Sequence, residues 1–297
     1  MNKRIRGILY YLLIAFGLAW FFWEVPLRLG LSLTSPFAQF ALLPGAFAPA
    51  VASVIVRKWV TREGFGDAGL KLRLRGKWRW YLIALFIPLA GVAITTIMAM
   101  VTGLGQPDFT FQRALQALAP GSAVSLPPYV ALITPFQLMS TSLIATPLLW
   151  GEEFGWRGYL QIRLFAGRPL LAAIATGLIW GIWHYPLNLR GYNYPDHPLL
   201  GLIVFPVTTV LLSIIFGWLF QRSGSVWVAS LAHAATNSIG GSLTYLLFYG
   251  GGDFLYVSYG GILGWLPLGA LCLWLIASGQ LKPKTDKQET DLPNELK

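Results

Sequence analysis

The segment Gly151-Glu152-Glu153-Phe154-Gly155-Trp156-Arg157 lies between two long apolar runs. Adjacent carboxylates and an arginine are costly at the edge of lipid, because charged groups lose hydration there. Charged residues in such a place therefore indicate a candidate functional site. The composition of the surrounding chain decides whether the environment is in fact a membrane.

The chain has 297 residues, of which 55% are hydrophobic and only 11% charged. Soluble domains carry about a quarter charged residues. Apolar runs of about 18 or more residues predict membrane-spanning helices. The predicted spans lie near 7–23, 36–56, 80–103, 128–150, 170–187, 199–221, 226–248 and 259–277. The predicted fold class is therefore all-α, a polytopic transmembrane helical bundle in a single domain, 1–278, followed by a polar tail, 279–297, that is expected to be disordered.

Basic residues in short loops indicate orientation, since loops rich in Lys and Arg stay in the cytoplasm. With eight spans and both termini inside, the outside segments contain only Arg28, Arg113 and Arg190. The inside segments then contain Lys3, Arg4, Arg6, the basic residues of 57–79, Arg157, Arg163, Arg168, Arg222 and the lysines of the tail. The net charge of +10 thus reflects membrane topology and contact with lipid headgroups. Dispersed basic residues argue against a nucleic-acid partner. In a prokaryote the location would be the plasma membrane.

The single cysteine, Cys272, excludes both a disulfide framework and a thiolate metal site. Two of the three histidines, His184 and His233, lie in apolar segments, whereas His197 lies in a polar connection beside Asp196. One intramembrane histidine often does no more than hydrogen-bond across a helix interface. Two of them, together with Asn237 and the Glu-Glu pair, favour a functional site.

Helix geometry predicts that these groups meet. If a helix continues past Arg157 to Phe165 and the chain turns at 166–169, Glu152 and His184 are equally distant from Arg168. At 1.5 Å per residue both lie about 24 Å from the turn, side by side in an antiparallel hairpin. His233 lies about 15 Å beyond the turn at 222–225 and is four residues before Asn237, which shares its helix side. A ridge of small residues, Ala173, Gly177 and Gly181, would allow another helix to approach closely.

The two adjacent acids are expected to have different roles. Glu153 and Arg157 have i, i+4 spacing with the acid first, the favourable order for an ion pair on one helix. Glu152 is rotated by about 100° from Glu153. Without its own cation, Glu152 is suited to act as a general base. The alternative is that both acids and Arg157 form a purely structural ion-pair cluster.

Three separate motifs carry a family resemblance: Glu152-Glu153-x-x-x-Arg157, Trp180-x-x-x-His184 and His233-x-x-x-Asn237. They resemble the motifs of the CPBP family of CAAX-type and bacteriocin-processing intramembrane proteases, also called the ABI family, which includes the Rce1-like prenyl-protein endopeptidases. The resemblance covers about 130–245. The chain departs from the family pattern at Trp180, where phenylalanine is usual, and this places in doubt how His184 is buttressed.

The resemblance implies hydrolysis of a peptide bond in a membrane-associated protein or peptide, at a site open to the cytoplasm. Glu152 and His184 would activate the attacking water, and His233 and Asn237 would donate hydrogen bonds to the oxyanion. Glu153 and Arg157 would position the helix that carries the first motif. The substrate, its prenylation and the oligomeric state are not specified by the sequence.

Metal dependence has two interpretations. His184, His233 and Glu152 could form a zinc site with one open position for water. However, no compact His-Glu-x-x-His motif is present, and Asn237 is better suited to donate a hydrogen bond. We therefore favour a site without a metal or other cofactor.

Two other classes of protein are compatible with the same residues. A non-enzymatic membrane partner or immunity protein would keep the fold but not need the chemistry. A secondary transporter or proton pathway would also contain buried Glu and His, but its polar residues would be expected at several depths on both sides of the membrane. Here the polar residues are expected toward the cytoplasmic half, and the spans do not divide into two similar halves.

Overall fold

The computed structural model describes residues 2–33, 35, 37–121 and 126–282. Within these residues the chain is helical, and β pairing is limited to one isolated bridge between Gly105 and Gly252. The predicted all-α class is confirmed. Most of the predicted tail, 283–297, lies outside the described residues.

The helices are defined here in chain order. They are α1 (Lys3–Arg28), α2 (Ala38–Ala46), α3 (Ala48–Ile55), α4 (Trp78–Thr102), α5 (Gln112–Leu118), α6 (Tyr129–Gly155), α7 (Pro169–Trp183), α8 (Tyr185–Asn188), α9 (Pro198–Ser223), α10 (Val226–Ala235), α11 (Thr244–Phe248), α12 (Phe254–Val257) and α13 (Trp265–Ala277). Three π-helical segments continue α3, α6 and α10 without a break: π1 (Val56–Val60), π2 (Trp156–Gln161) and π3 (Thr236–Leu243).

Several helices are suited to crossing a membrane. Those long and apolar enough, among the described residues, are Lys3–Arg28, Phe40–Val60, Trp78–Thr102, Tyr129–Gln161 and Pro198–Ser223. Shorter apolar helices cover Pro169–Trp183 and Trp265–Ala277. The remaining predicted span, 226–248, is helical throughout, although serine, threonine, histidine and asparagine make it more polar. The chain is an integral membrane protein, and the count of eight spans stays a prediction.

The hairpin around Arg168 forms where the sequence predicts it. Helical structure continues from α6 through π2 to residue 163, two residues before the expected end. The turn contains Gly167 at φ +77°, a left-handed conformation that glycine adopts without strain. Helix α7 then begins with Pro169, whose fixed φ suits the first helical turn. The turn therefore brings the end of α7 back toward the acidic motif of α6.

Polar residues gather in two groups at the ends of the bundle. In the first group Arg4 bonds the carbonyl of Arg163, and Lys77 bonds that of Arg222. In the second group Glu24 pairs with both Arg28 and Arg190. Because α1 begins in the first group and ends in the second, the two groups lie at opposite ends. The basic residues predicted inside and outside are thus separated in space.

The side chain of Arg57 holds the loop that follows π1 against the end of α6. Its guanidinium is fully buried and donates to Asp67 Oδ1 at 2.7 Å and to the carbonyl of Gly158 at 2.9 Å. Burial would raise the pKa of the Asp67 carboxyl, but the hydrogen bond from Arg57 and the charges of Arg57 and Arg163 lower it below its usual value. Arg57 therefore fastens the loop to π2, directly beyond the acidic motif, rather than lying in solvent.

The small-residue ridge of α7 packs against α9. A Cβ on Gly177 would lie 2.5 Å from Val210 Cα, and one on Gly181 would lie 2.7 Å from Pro206 Cα. Thr209 donates a hydrogen bond to the Gly177 carbonyl at 2.9 Å across this interface. The predicted close approach is present, and its partner is α9.

Replacing Gly177 by alanine should therefore destabilise the protein by about 1–3 kcal/mol, because the new methyl group meets backbone that cannot move aside. The measurement is unfolding of the purified protein by denaturing detergent. Gly269→Ala on α13 is the matched control, because its Cβ would meet no atom within 4 Å. Equal stability of the two variants would contradict the close-contact interpretation.

Candidate active site

Glu153 and Arg157 form a buried ion pair across the junction of α6 and π2. Arg157 Nη1 lies 2.9 Å from Glu153 Oε1, and both side chains are fully buried. The same Oε1 lies 3.0 Å from His233 Nδ1 on α10. The i, i+4 pair has the geometry expected from the sequence, and it also fixes one histidine ring.

Glu152 points toward a different helix. Its Oε2 accepts a hydrogen bond from Trp180 Nε1 of α7 at 2.9 Å. The residue is 6% exposed, whereas its neighbour Glu153 is 0% exposed. Glu152 thus bonds α7 and keeps slight access to solvent, whereas Glu153 is fully buried against α10.

His184 caps the C-terminus of α7, one turn after Trp180. Its Nδ1 lies 2.9 Å from the Trp180 carbonyl oxygen. A carbonyl can only accept, so Nδ1 carries the hydrogen and Nε2 is left for another partner. Packing against Trp183, Phe205 and Trp23, at ring distances of 4.8, 5.0 and 5.9 Å, fixes the ring plane.

Trp180 links the parts of this cluster. The guanidinium of Arg157 lies 4.8 Å from its ring centre and 5.1 Å from that of Phe216 on α9. The edge-on ring of His233 lies 5.0 Å from Trp180. Cation–π contacts of this kind offset part of the cost of burying an arginine.

The structure brings together six of the predicted site residues. The six are Glu152, Glu153, Arg157, Trp180, His184 and His233. Asn237 is exposed, and among the described residues no hydrogen bond joins it to the cluster. His233 lies in α10 and Asn237 lies in π3, which continues α10, and residues four apart stay on one side of either type of helix. The shared helix side of His233 and Asn237 stays a prediction.

The first helix supplies site residues that sequence reasoning missed. Trp23 contacts His184, and Tyr11 packs on the ring of Trp156 at 5.9 Å. The Tyr11 hydroxyl lies within electrostatic range of Glu152, Glu153 and Arg157 and is buried without a protein hydrogen-bond partner. An aromatic residue in an apolar helix has no spacing signal, so only the packing identifies these residues.

The donor set does not fit a preorganised metal site. In the part of the chain that the structure describes, no three His, Cys, Asp or Glu side chains converge as a set able to hold a metal ion. His233 Nδ1 faces Glu153 and His184 Nδ1 faces a carbonyl oxygen, so in each ring Nε2 is the nitrogen that could act as a ligand.

Two grooves follow the turn between α6 and α7 beside the end of α9, and neither is lined by this cluster. Their volumes are about 360 and 350 Å³. The basic residues that line them are Arg168, Arg222 and Lys282. Within the cluster, Glu152, His184 and His233 keep small exposed fractions of 6%, 8% and 4%.

Arg157→Met should destabilise the protein by about 3–5 kcal/mol, because Glu153 would keep a buried charge with one cation fewer. Unfolding by denaturing detergent measures the change. Glu153→Gln combined with Arg157→Met should recover most of the loss, since neither charge then remains. Arg28→Met is the matched control: it breaks another i, i+4 pair, but one whose arginine is 78% exposed, and should cost at most about 1 kcal/mol. Equal losses in the two single variants would contradict the role assigned to burial.

A family model described as Type II CAAX prenyl endopeptidase Rce1-like matches residues 131–239. No curated protein matches the chain. The matched segment contains all three motifs and runs from α6 into π3. The resemblance inferred from the motifs is thus confirmed, and residues 131–239 of this membrane protein match the Rce1-like family of prenyl endopeptidases, which are peptide hydrolases.

Proposed function

We propose that the protein is an intramembrane endopeptidase that hydrolyses a peptide bond of a membrane-associated protein or peptide. The observation that carries the proposal is the position of Trp180 between two reactive groups. Its indole N–H donates to Glu152, and its carbonyl oxygen bonds the His184 ring. An accessible carboxylate and a neighbouring imidazole with a free nitrogen are the groups that general-base catalysis requires.

In the proposed reaction His184 Nε2 orients a water molecule and Glu152 accepts its proton. The water oxygen attacks the carbonyl carbon of the scissile peptide bond, giving a tetrahedral oxyanion. Protonated Glu152 then donates that proton to the leaving nitrogen as the C–N bond breaks. The products are a carboxylic acid and an amine, and Glu152 returns to its ionised form.

His233 and Asn237 are proposed to stabilise the oxyanion. Because His233 Nδ1 faces a carboxylate, it carries hydrogen, so donation from Nε2 requires the doubly protonated ring. Glu153 would then balance a positive His233 on one side and Arg157 on the other. The amide of Asn237 is exposed, and we assign its hydrogen bond to the oxyanion to the substrate complex.

The end of the bundle that contains Arg4, Lys77 and Arg222 is proposed to face the cytoplasm, because the basic connections lie there. The site would then open toward the inner leaflet. A prenylated CAAX-type protein is the substrate class that the family description suggests. A membrane peptide without a lipid is the second class of substrate consistent with this site.

Glu152→Gln should reduce peptide hydrolysis by about 10²–10⁴-fold, because glutamine cannot accept the proton from water. The measurement compares membrane peptides from cells that make the wild type or the variant, followed by cleavage of a fluorogenic prenylated peptide by purified protein. Glu63→Gln, the same carboxyl-to-amide change in the loop between π1 and α4, is the control and should keep activity. Unchanged processing by Glu152→Gln would favour the non-enzymatic partner or immunity protein instead.

We also propose that hydrolysis needs no metal. Wild-type protein dialysed against a strong chelator should keep its rate of peptide cleavage within about twofold, because no step assigned above needs a Lewis acid. Metal analysis of the purified protein and zinc add-back complete the experiment. Stoichiometric zinc, with activity lost to the chelator and restored by zinc, would overturn the metal-free mechanism but not the peptidase assignment.

A further inference from the structure

We propose that Trp180 is a positioning residue whose indole N–H holds the Glu152 carboxylate in the orientation that the proposed hydrolysis requires. This inference rests on the peptidase function proposed above. It concerns one hydrogen bond, Trp180 Nε1 to Glu152 Oε2 at 2.9 Å. A phenylalanine, which is usual at this position in the resembling motif, could not make that bond.

The indole is held in one orientation by its neighbours. Trp180 is almost fully buried, with the Arg157 guanidinium at 4.8 Å, the His233 ring at 5.0 Å and the Phe216 ring at 6.1 Å. Rotation of the side chain would break all of these contacts together. The N–H therefore points at Glu152 without the loss of side-chain entropy that a flexible donor would incur on bonding.

The bond leaves half of the carboxylate available. Among the described residues the Trp180 indole is the one side chain that hydrogen-bonds Glu152, and it occupies Oε2 alone. Glu152 retains 6% exposure, so Oε1 can meet a water molecule. A carboxylate fixed through one oxygen and open at the other has the geometry that a general base needs.

Glu152 is surrounded by charged and titratable groups, so the charge of its own hydrogen-bond donor matters. The titratable and charged groups that face it are Tyr11 of α1, Glu153 of α6, Arg157 of π2, His184 after α7 and, beyond His184, His233 of α10. Arg157 is committed to Glu153 at 2.9 Å, so the direct donor to Glu152 is neutral. A donor to a carboxylate stabilises the ionised form, which is the form able to accept a proton.

The experiment removes the donor while keeping the ring. A tryptophan analogue in which sulfur replaces the indole N–H is incorporated at position 180 of the full-length protein in proteoliposomes, beside Trp180→Phe. The kcat and KM for a fluorogenic prenylated peptide are then measured separately. Both changes should lower kcat by about tenfold and leave KM within about twofold of the wild type, because the lost hydrogen bond holds the base and not the substrate.

Position 265 provides the matched control. Trp265 Nε1 donates to Thr208 Oγ1, also at 2.9 Å, and packs against a separate cluster with Tyr194 and Leu255. The same analogue and Trp265→Phe lose an equal bond and should leave kcat and KM within about twofold of the wild type.

The outcomes separate this inference from the function on which it rests. An unchanged kcat in the sulfur analogue, with Glu152→Gln inactive, overturns the role of Trp180 and leaves the peptidase intact. An equal loss of kcat in the variants at position 265 also overturns it, because a general effect on packing would explain that result. Full activity of Glu152→Gln overturns both proposals.

Discussion

The buried ion pair between Glu153 and Arg157 is the constraint on which the rest of the site depends. Burying two charges is costly, and hydrogen bonds and packing offset part of that cost. His233 supplies one hydrogen bond and two aromatic faces cover the guanidinium, whereas Glu153 Oε2 and Arg157 Nη2 have no hydrogen-bond partner among the described residues. Because these partners come from α7, α9 and α10, the pair requires those helices to close around the end of α6.

The neighbouring acid has a different environment for a geometric reason. One step along a helix rotates a side chain by about 100°, so Glu152 faces α7 when Glu153 faces α10. Glu153 pairs with Arg157, contacts His233 and is fully buried. Glu152 receives a neutral donor and keeps some access to solvent, which suits it to react. A single dipeptide thus provides both a fixed charge and a candidate base.

Residues outside the matched segment complete the site. Helix α1 places Trp23 against His184 and Tyr11 beside Trp156, although it precedes residue 131 by more than a hundred positions. Trp183, next to His184, also bonds the Ala15 carbonyl of α1 at 3.2 Å. The motif segment therefore supplies the reactive groups, and the first helix supplies one wall that holds them.

Much of this arrangement follows from local periodicity. The apolar runs fixed the helices, the distance from Arg168 predicted that the end of α7 returns to Glu152, and the i, i+4 spacing predicted the Glu153–Arg157 pair. Each of these depends on residues close in sequence or joined by one short turn. Helix rise and rotation are enough to derive such relations.

Only the tertiary structure decided which faces meet. In the tertiary structure the glycine ridge of α7 packs against α9, Arg57 is buried beneath a loop, and the Trp180 indole donates a hydrogen bond to Glu152. The tertiary structure also continues α10 into the π-helical segment that carries Asn237. The physical reason is that contacts between distant helices depend on shape and on local changes of helical turn, neither of which is encoded in the spacing of residue types.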